Sequence, residues 1–234
     1  MITDFHSHIL PNVDDGSTSL EESIAMLRME AEQGITHVVA TPHFYADHDS
    51  PERFLARRDR AEAELRAEMA KYTGLPTLSI GAEVSFFQGI SGSEALREFV
   101  IGDTSCVLLE MPVCQWTNSM YREIEQIQEK QDLLPVIAHV DRYISPLRDH
   151  GIINRLAQLP VAIQANASFF LRLSTSNMAM KMLRQGSIHL LGSDCHNLRH
   201  RPPNLGDAVE RIRRRLGEQA IESIGYHELR ILGR

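Results

Sequence analysis

The 234-residue sequence is short of cysteines and of long apolar runs, and each shortage removes a class of protein. Its three cysteines, Cys106, Cys114 and Cys195, cannot all pair with one another, which argues against a disulfide-built secreted domain and favours a reducing, cytoplasmic setting. No apolar run approaches the ~18 residues of a membrane span. No basic stretch leads into an apolar one at the N-terminus. We therefore expect no membrane insertion and no signal peptide.

Positive charge is also scarce. The chain has 24 Lys and Arg against 31 Asp and Glu, so its net charge is −7. A nucleic-acid partner would need a strongly basic surface and is not expected. The hydrophobic share of 43% is ordinary for a globular protein, and the length suits one domain spanning residues 1–234.

Short β-branched segments alternate with longer segments of helical periodicity. The predicted helices are Leu20–Gln33, Pro51–Tyr72, Asn118–Lys130 and Leu205–Leu216. The predicted strands are Ile2–Phe5, His37–Thr41, Thr77–Ala82, Val107–Leu109, Pro135–Ala138, Val161–Gln164 and Ile188–Gly192. Near-continuous apolar strands are typical of a parallel sheet covered by helices. The sequence therefore predicts an α/β fold, with a barrel of seven β–α units or, alternatively, an open doubly wound sheet.

Side chains with metal-ligand chemistry lie at or just after the C-terminal ends of most of these strands. Parallel strands bring those ends together, so distant residues are expected to meet in one pocket. Residues two apart in a strand face the same side, which pairs His6 with His8 and Asp194 with His196. The candidate ligands are five histidines and four carboxylates: His6, His8, His43, His139, His196, Asp15, Glu83, Glu110 and Asp194.

Nine ligands are too many for one ion and suit two or three. Imidazole and carboxylate together favour manganese, iron or zinc over calcium or magnesium. A single His-x-His pair is more often structural, so the prediction depends on the joint pattern. The other histidines lack this placement and are predicted to be surface or core residues: His37, His48, His150, His189, His200 and His227.

Several segments together resemble the PHP (polymerase and histidinol phosphatase) family, and within it the manganese-dependent protein-tyrosine phosphatases of bacterial capsule and exopolysaccharide loci. The resemblance spans about residues 1–215 and is weakest over 44–75. The segments that carry it are Asp4–Pro11, Val13–Ser17, Ala40–His43, Gly81–Glu83, Leu108–Pro112, Ile137–Tyr143, Gln164–Ser168, Gly192–Leu198 and Arg201–Pro203.

The resemblance implies a distorted, TIM-barrel-like (β/α)7 barrel with three metal ions, manganese first and iron or zinc as alternatives. It implies that His6, His8, Glu83 and Asp194 hold one ion. Glu83 would also bridge to a second ion, which Glu110 and His139 complete. Asp15, His43 and His196 would hold the third. Arg142 and Arg201 match the phosphate-binding arginines of the family.

The resulting hypothesis is hydrolysis of phosphotyrosine on a protein, such as a bacterial tyrosine kinase that controls capsule or exopolysaccharide synthesis. A hydroxide bridging two metals would attack phosphorus, while Arg142 and Arg201 bind the phosphate oxygens. Aromatic residues follow the ligand positions and are candidates to stack on the phosphotyrosine ring, with Phe44 and Tyr143 foremost. The wider set also contains Tyr45, Phe86, Phe87, Trp116, Phe169 and Phe170.

Three other functions stay open at this stage. Cys195 and Arg201 have the Cys-x5-Arg spacing of cysteine-dependent tyrosine phosphatases, but the loop has no glycine and runs into Pro202 and Pro203. A PHP phosphatase of a small ester such as histidinol phosphate would use the same metals. A non-catalytic metal-binding or interaction module is the third alternative.

Overall fold

The computed structural model describes residues 2–144 and 151–233. The strands are β1 (Thr3–Ser7), β2 (His37–Ala40), β3 (His43–Phe44), β4 (Thr77–Ile80), β5 (Glu83–Ser85), β6 (Cys106–Glu110), β7 (Leu134–Ile137), β8 (Ala162–Asn166) and β9 (Leu190–Gly192). The helices are α1 (Leu20–Glu32), α2 (Pro51–Met69), α3 (Asn118–Gln131), α4 (Ile152–Leu156), α5 (Ala167–Leu171), α6 (Ser176–Arg184), α7 (Leu205–Leu216) and α8 (Glu218–Leu232). One predicted core or surface histidine, His150, lies outside the described residues.

Every strand pairing between these elements is parallel, which confirms the predicted α/β class. One sheet has the order β1-β2-β4, and the other has the order β3-β5-β6-β7-β8-β9. The two sheets meet where β1 runs beside the end of β9. There the Asp194 N–H donates to the His6 carbonyl at 2.8 Å, and the His8 N–H donates to the Cys195 carbonyl at 2.9 Å.

Local sequence explains the two long N-terminal helices. Ser19 is the N-cap of α1, and its hydroxyl accepts the Glu22 N–H. Gly34, just past the end of α1, has φ +80°, a conformation that glycine adopts without a Cβ clash. Pro51 opens α2 behind the N-cap Ser50. Both helices therefore begin and end close to the predicted residues.

The sequence-based strands differ from the structure in one respect that matters for the site. The predicted strands His37–Thr41 and Thr77–Ala82 end at Ala40 and Ile80, and a second short strand, β3 or β5, follows each of them after a break of two residues. Pro42 has no N–H for a sheet ladder. The breaks place His43 and Glu83 at the start of separate strands. Helices α4, α5, α6 and α8 were not predicted.

The strands have two apolar faces. Alternate residues along β6 belong to different clusters: Val107 and Leu109 pack in the large one beneath the helices, while Leu108 packs in a small second one. The small cluster collects one or two residues from most strands, with Ile231 and Leu232 of α8 packed against it. The end of α8 therefore covers one end of the sheet.

No helix in residues 2–144 and 151–233 is both long enough and apolar enough to cross a bilayer.

Glu228 on α8 gives the fold a testable pH dependence. Burial raises its pKa to about 7, although Thr3 donates to it. The folded state therefore keeps this proton to higher pH than the unfolded chain does, so the stability that the proton supplies is full below about pH 4.5 and is lost as pH rises to about 7. We expect Glu228→Gln to raise the free energy of unfolding at pH 8 by on the order of 2–3 kcal/mol relative to the wild type.

Urea denaturation of both proteins at pH 5, 7 and 8 measures this difference. The gain should be small at pH 5 and should grow towards pH 8. Glu222→Gln on the exposed side of α8 is the matched control and should change little. A Glu228→Gln protein that is less stable than the wild type at pH 8 would contradict the assignment.

Candidate metal centre

Nine side chains with nitrogen or oxygen ligand atoms meet at one end of the sheet. They come from strand ends, strand breaks and the loop after β1, which are neighbours in space because the strands are parallel. They are all nine of the predicted ligands: His6, His8, Asp15, His43, Glu83, Glu110, His139, Asp194 and His196. Most are buried, and Asp15 is the exposed member, with 69% of its side chain accessible.

Glu83 lies at the middle of the cluster, in contact with four histidines. Its Oε2 lies 3.1 Å from His6 Nε2, 3.4 Å from His8 Nε2 and 3.0 Å from His43 Nδ1. Its Oε1 lies 2.7 Å from His139 Nε2. A carboxylate with both oxygens directed at different ligand groups can bridge two cations.

The pair His6 and His8 has the geometry of two ligands on one ion. Their Nε2 atoms are 3.0 Å apart. Two ligand atoms that each lie ~2.1 Å from an ion, at about a right angle, have the same separation. The opposite ring nitrogens face acceptors, His8 Nδ1 at 2.6 Å from Asp14 and His6 Nδ1 at 3.4 Å from Gln164. With the protons on Nδ1, both Nε2 lone pairs point at one place, which a cation would satisfy.

Proximity divides the ligands into groups that overlap. Ligand atoms lie within 4.8 Å of one another in His6, His8 and Asp194, in His43, Glu83 and Glu110, and in His8, Asp15, His43 and His196. His139 joins the second group through Glu83, at 2.7 Å, and Glu110, at 3.4 Å. His8 and His43 each belong to two groups, so neighbouring groups have a ligand in common.

Buried polar atoms without hydrogen bonds also indicate a place for cations. Glu83 Oε2 and His43 Nδ1 are only 3.0 Å apart, yet neither has a hydrogen bond among the described residues. Buried polar atoms seldom stay unpaired in a folded protein. Five imidazoles and four carboxylates with such atoms turned inward fit a centre of two or three ions of the manganese, iron or zinc type.

Burial and charge compete in setting the ionisation of the central carboxylates. Burial raises the pKa of Glu83, but the charge on His6 and the hydrogen bond from His139 hold it well below its usual range. The pKa of Asp194 is likewise lowered, since His6 and His8 outweigh its burial. Both groups are anionic at neutral pH and can hold cations.

The backbone is unusual at two of the ligands. His139 has φ +30° and Asp194 has φ +55°, both in the left-handed region that side chains other than glycine rarely adopt. Such conformations persist where surrounding contacts hold them, and they concentrate at functional sites. Asp194 is held there by its own N–H, which donates to the His6 carbonyl.

Polar residues behind the ligands orient them, and none of these residues was predicted to have a role. Asp14 accepts from His8 Nδ1, from the His43 N–H at 2.9 Å and from the Gly16 N–H. Gln164 Oε1 accepts the His139 N–H, and its amide nitrogen donates to Asn166 at 3.1 Å. Polar residues one or two positions from a ligand, or repeated along β8, are the signal that could have found them.

Arg142 and Arg201 border the cluster on the side of Asp194. Arg142 Nη2 lies 2.6 Å from Asp194 Oδ2, and Arg201 Nη2 lies 2.5 Å from Asp194 Oδ1. Arg142 also reaches Glu110 at 3.3 Å, and Arg201 donates to His196 Nε2 at 2.8 Å. Both guanidinium groups are partly exposed, so they can also face a ligand in solution.

The structure corrects the prediction that Phe44 and Tyr143 stack on a substrate ring. Phe44 is 2% exposed and packs between Phe54 and Phe99 in the core. Tyr143 is also buried, and its hydroxyl oxygen accepts the Met111 N–H at 2.9 Å and lies 3.2 Å from His139 Nδ1. Tyr143 therefore orients a candidate ligand.

The exposed aromatic ring at the site is Tyr45. It is 37% exposed and stacks on His43, with ring centroids 5.1 Å apart. This placement leaves one face of the tyrosine ring beside the cluster. Tyr45 belongs to the wider set of aromatic residues that the sequence singled out.

The cysteine-nucleophile alternative is wrong. Cys195 is fully buried, and its burial raises the pKa of the thiol well above its usual range. The carboxylates of Glu30 and Asp4 raise it further. A nucleophilic cysteine needs an accessible thiolate stabilised by positive charge.

Comparisons with known proteins show what the chain and its fold are similar to. The chain is 26% identical over 229 residues to a protein named tyrosine-protein phosphatase CpsB from Streptococcus agalactiae, covering 92% of this chain and 91% of that protein. It is 25% identical over 227 residues to tyrosine-protein phosphatase YwqE from Bacillus subtilis, covering 92% and 85%.

The fold matches a crystal structure described among those of YwqE from Bacillus subtilis and CpsB from Streptococcus pneumoniae, "unique metal-dependent tyrosine phosphatases". The TM-score is 0.85 at 24% identity, over 97% of this chain and 93% of that one. The model of the family described as capsular polysaccharide synthesis, CpsB/CapC, matches residues 2–231. With the match extending over nearly its full length, the chain belongs to the CpsB/CapC capsular polysaccharide synthesis family.

Proposed function

We propose that the protein is a metal-dependent protein-tyrosine phosphatase. The observation that carries the proposal is Glu83 in contact with four histidines, beside two arginines that share Asp194. A multinuclear metal centre next to paired guanidinium groups suits phosphoester hydrolysis. The names of the relatives point to phosphotyrosine as the phosphoester.

The ligand sets are proposed as the family resemblance implies them. His6, His8, Glu83 and Asp194 would hold one ion, with manganese first and iron or zinc as alternatives. Glu83, Glu110 and His139 would hold a second, and Asp15, His43 and His196 would hold a third. When bound, the ions lower the pKa of water and so supply the nucleophile at neutral pH.

Residues of the chain itself bind the substrate and orient the metal ligands. Arg142 and Arg201 bind the non-bridging phosphate oxygens, because a guanidinium group pairs bidentately with phosphate. Tyr45 provides a ring beside the cluster on which the tyrosine of the substrate stacks. Asp14, Gln164 and Tyr143 fix the ring orientations of the ligating histidines.

The substrate is proposed to be a tyrosine-phosphorylated protein, namely a bacterial tyrosine kinase that controls capsule or exopolysaccharide synthesis. The family description, capsular polysaccharide synthesis, supports this context. The enzyme is proposed to act in the cytoplasm.

The fold is proposed to be a single-domain, seven-position barrel of the PHP type. β2 and β3 can be counted as one interrupted strand, and so can β4 and β5. The nine strands then occupy seven positions around the barrel. The contacts of Asp194 and His8 across β1 and β9 then close the circle.

Turnover by Arg142→Ala tests the phosphate-binding role. We expect kcat to fall by about 10²-fold, since a charge-assisted contact to the phosphate is lost. Bound metal, measured by mass spectrometry of the purified protein, should not change. A parallel loss of metal would instead make Arg142 a structural partner of Asp194.

A metal-by-substrate matrix tests the proposed function itself. Phosphotyrosyl and phosphoseryl peptides and histidinol phosphate are each assayed with manganese, iron, zinc or EDTA. We expect phosphotyrosine turnover that EDTA abolishes and manganese restores, and the same profile for Cys195→Ser. Much faster turnover of histidinol phosphate would favour the small-ester alternative. Absence of any turnover with every metal would favour a non-catalytic module.

A further inference from the structure

A second cluster of buried polar side chains lies next to the metal centre, where β1, the end of β9 and α1 come together. Its members have at most 7% of their surface exposed, and none of them is a predicted ligand. They are Asp4 of β1, Glu30 of α1, and Ser193 and Cys195 just after β9. Asp and Glu are seldom buried this completely unless their oxygens are engaged, so the two carboxyl groups must have specific partners.

Asp4 links β1 to the segment after β9 through three hydrogen bonds. Its Oδ1 accepts the Ser193 N–H at 2.8 Å and the His6 N–H at 3.1 Å. Its Oδ2 accepts the Ser193 hydroxyl at 2.5 Å. His6 is a proposed metal ligand, and Ser193 directly precedes another, Asp194. One carboxyl group therefore fixes the backbone beside two proposed ligands of the same ion.

The hold on Ser193 matters because Asp194 has an uncommon backbone conformation, with φ +55°. The Ser193 hydroxyl oxygen also accepts the Cys195 N–H at 3.1 Å. Both neighbours of Asp194 in the chain are thus tied to Asp4, one directly and one through the serine. A residue other than glycine keeps a left-handed conformation only where the surrounding contacts enforce it. Asp4 and Ser193 supply such contacts.

Glu30 is the partner of Asp4 from α1. The two carboxyl groups are hydrogen-bonded to each other, which requires a proton between them. Both oxygens of Asp4 already accept from other groups. No N–H or O–H group in the described part of the chain donates to Glu30 Oε2, as expected for an oxygen that carries a proton itself. Glu30 is therefore placed to donate to Asp4 and to hold its side chain in position.

We propose that Asp4 and Glu30 are positioning residues of the metal centre: the hydrogen bond from Glu30 fixes Asp4, and Asp4 sets the position of His6 relative to Asp194. The inference rests on the proposed phosphatase function, since it concerns ligands of the same centre. In the described part of the chain, neither carboxyl group belongs to the ligand groups around Glu83. The pair therefore acts on metal binding through other residues.

Metal affinity of Glu30 variants tests the inference. Glu30→Gln keeps a hydrogen-bond donor towards Asp4, whereas Glu30→Met has a similar length and no donor. Competition for Mn²⁺ with a chromophoric chelator should show a loss of affinity of about ten-fold or more in Glu30→Met, the effect typical of removing a residue that orients a metal ligand. Glu30→Gln should bind Mn²⁺ as the wild type does. The visible absorption spectrum of bound Co²⁺, which depends on ligand geometry, should change in Glu30→Met alone.

Glu123→Met is the matched control, because Glu123 is also a buried glutamate on a helix. Its oxygens accept the N–H groups of Gly89 and Ser91, at 3.2 Å and 3.1 Å. This variant should lose stability but keep the Mn²⁺ affinity and the Co²⁺ spectrum of the wild type. If Glu30→Met behaves in the same way, the pair supports the fold alone and the inference is overturned. Equal losses of affinity in Glu30→Gln and Glu30→Met overturn the role of the hydrogen bond.

Ser193→Ala provides the same test should Glu30→Met fail to fold. It removes the hydroxyl that donates to Asp4 and accepts from the Cys195 N–H. The folded variant should bind Mn²⁺ several-fold more weakly than the wild type. Unchanged affinity and an unchanged Co²⁺ spectrum in Ser193→Ala would contradict the proposal.

Chelator competition needs no substrate, which separates this inference from the proposed function. A wild type that binds Mn²⁺ but hydrolyses no phosphotyrosine refutes the phosphatase, while weaker binding in Glu30→Met still supports the positioning role. A wild type that hydrolyses phosphotyrosine, together with unchanged metal binding in the folded variants, refutes the positioning role alone. A wild type that binds no metal refutes both.

Discussion

Glu83→Gln is expected to lower kcat/KM for phosphotyrosine by more than ~10³-fold and to reduce the metal content of the purified protein. Glu83 contacts His6, His8, His43 and His139, and so touches all three groups of ligands. The amide keeps the shape of the side chain but replaces a charged oxygen with an N–H₂ group, which cannot bind a cation. Losing a carboxylate that these groups share should release at least one ion.

Metal per chain and steady-state kinetics on the same preparation measure both effects. Glu83→Asp retains the charge with a shorter reach, and it should keep more metal than Glu83→Gln does. Glu129→Gln, on the exposed side of α3, is the matched control for loss of one carboxylate. Circular dichroism establishes that each variant is folded. Full metal content and activity in Glu83→Gln would refute the bridging role.

Much of this site can be predicted because, in a parallel α/β fold, the order of strands along the sequence determines which residues lie near one another. Once strands are recognised, their C-terminal ends must be neighbours, so His6, Glu83, His139 and Asp194 are expected to converge however far apart they lie in the chain. Alternation along a strand adds the pairing of His6 with His8. Neither argument needs side-chain detail, and the structure places all nine predicted residues together.

Which way a loop side chain turns is a different kind of question. Phe44 and Tyr143 follow ligands in the sequence, as substrate-facing residues would. Packing against Phe54 nevertheless buries Phe44, and the Met111 N–H donates to the Tyr143 hydroxyl and holds it in the interior. These contacts join segments that have no fixed relation in sequence. Helix α8 was not predicted for a similar reason. Its buried residues, such as Ile224, are buried only by contacts with other elements of the folded protein.

Gly192→Ala is expected to destabilise the protein by about 3 kcal/mol or more, because it overpacks a buried position. A Cβ at Gly192 would lie 2.6 Å from His6 Cβ, 2.7 Å from Gln164 Nε2 and 3.0 Å from the His6 backbone nitrogen. Neither neighbour is the free end of a flexible chain: His6 is in β1, and Gln164 holds the His139 N–H. Relief therefore requires β1 and β9 to separate, which moves His6 away from Glu83.

Stability and metal affinity should consequently fall together. Urea unfolding of the metal-free proteins measures the stability. Competition with a chromophoric chelator, at a temperature where both variants are folded, measures the metal affinity. Gly225→Ala is the matched control: no atom lies within 4 Å of a Cβ there, and alanine in a helix is favoured over glycine by up to ~1 kcal/mol. A Gly192→Ala protein that is destabilised but binds metal normally would show that the contact of β9 with His6 supports the fold alone. Weakened metal binding in the folded variant would instead tie the closure between β1 and β9 directly to the position of His6.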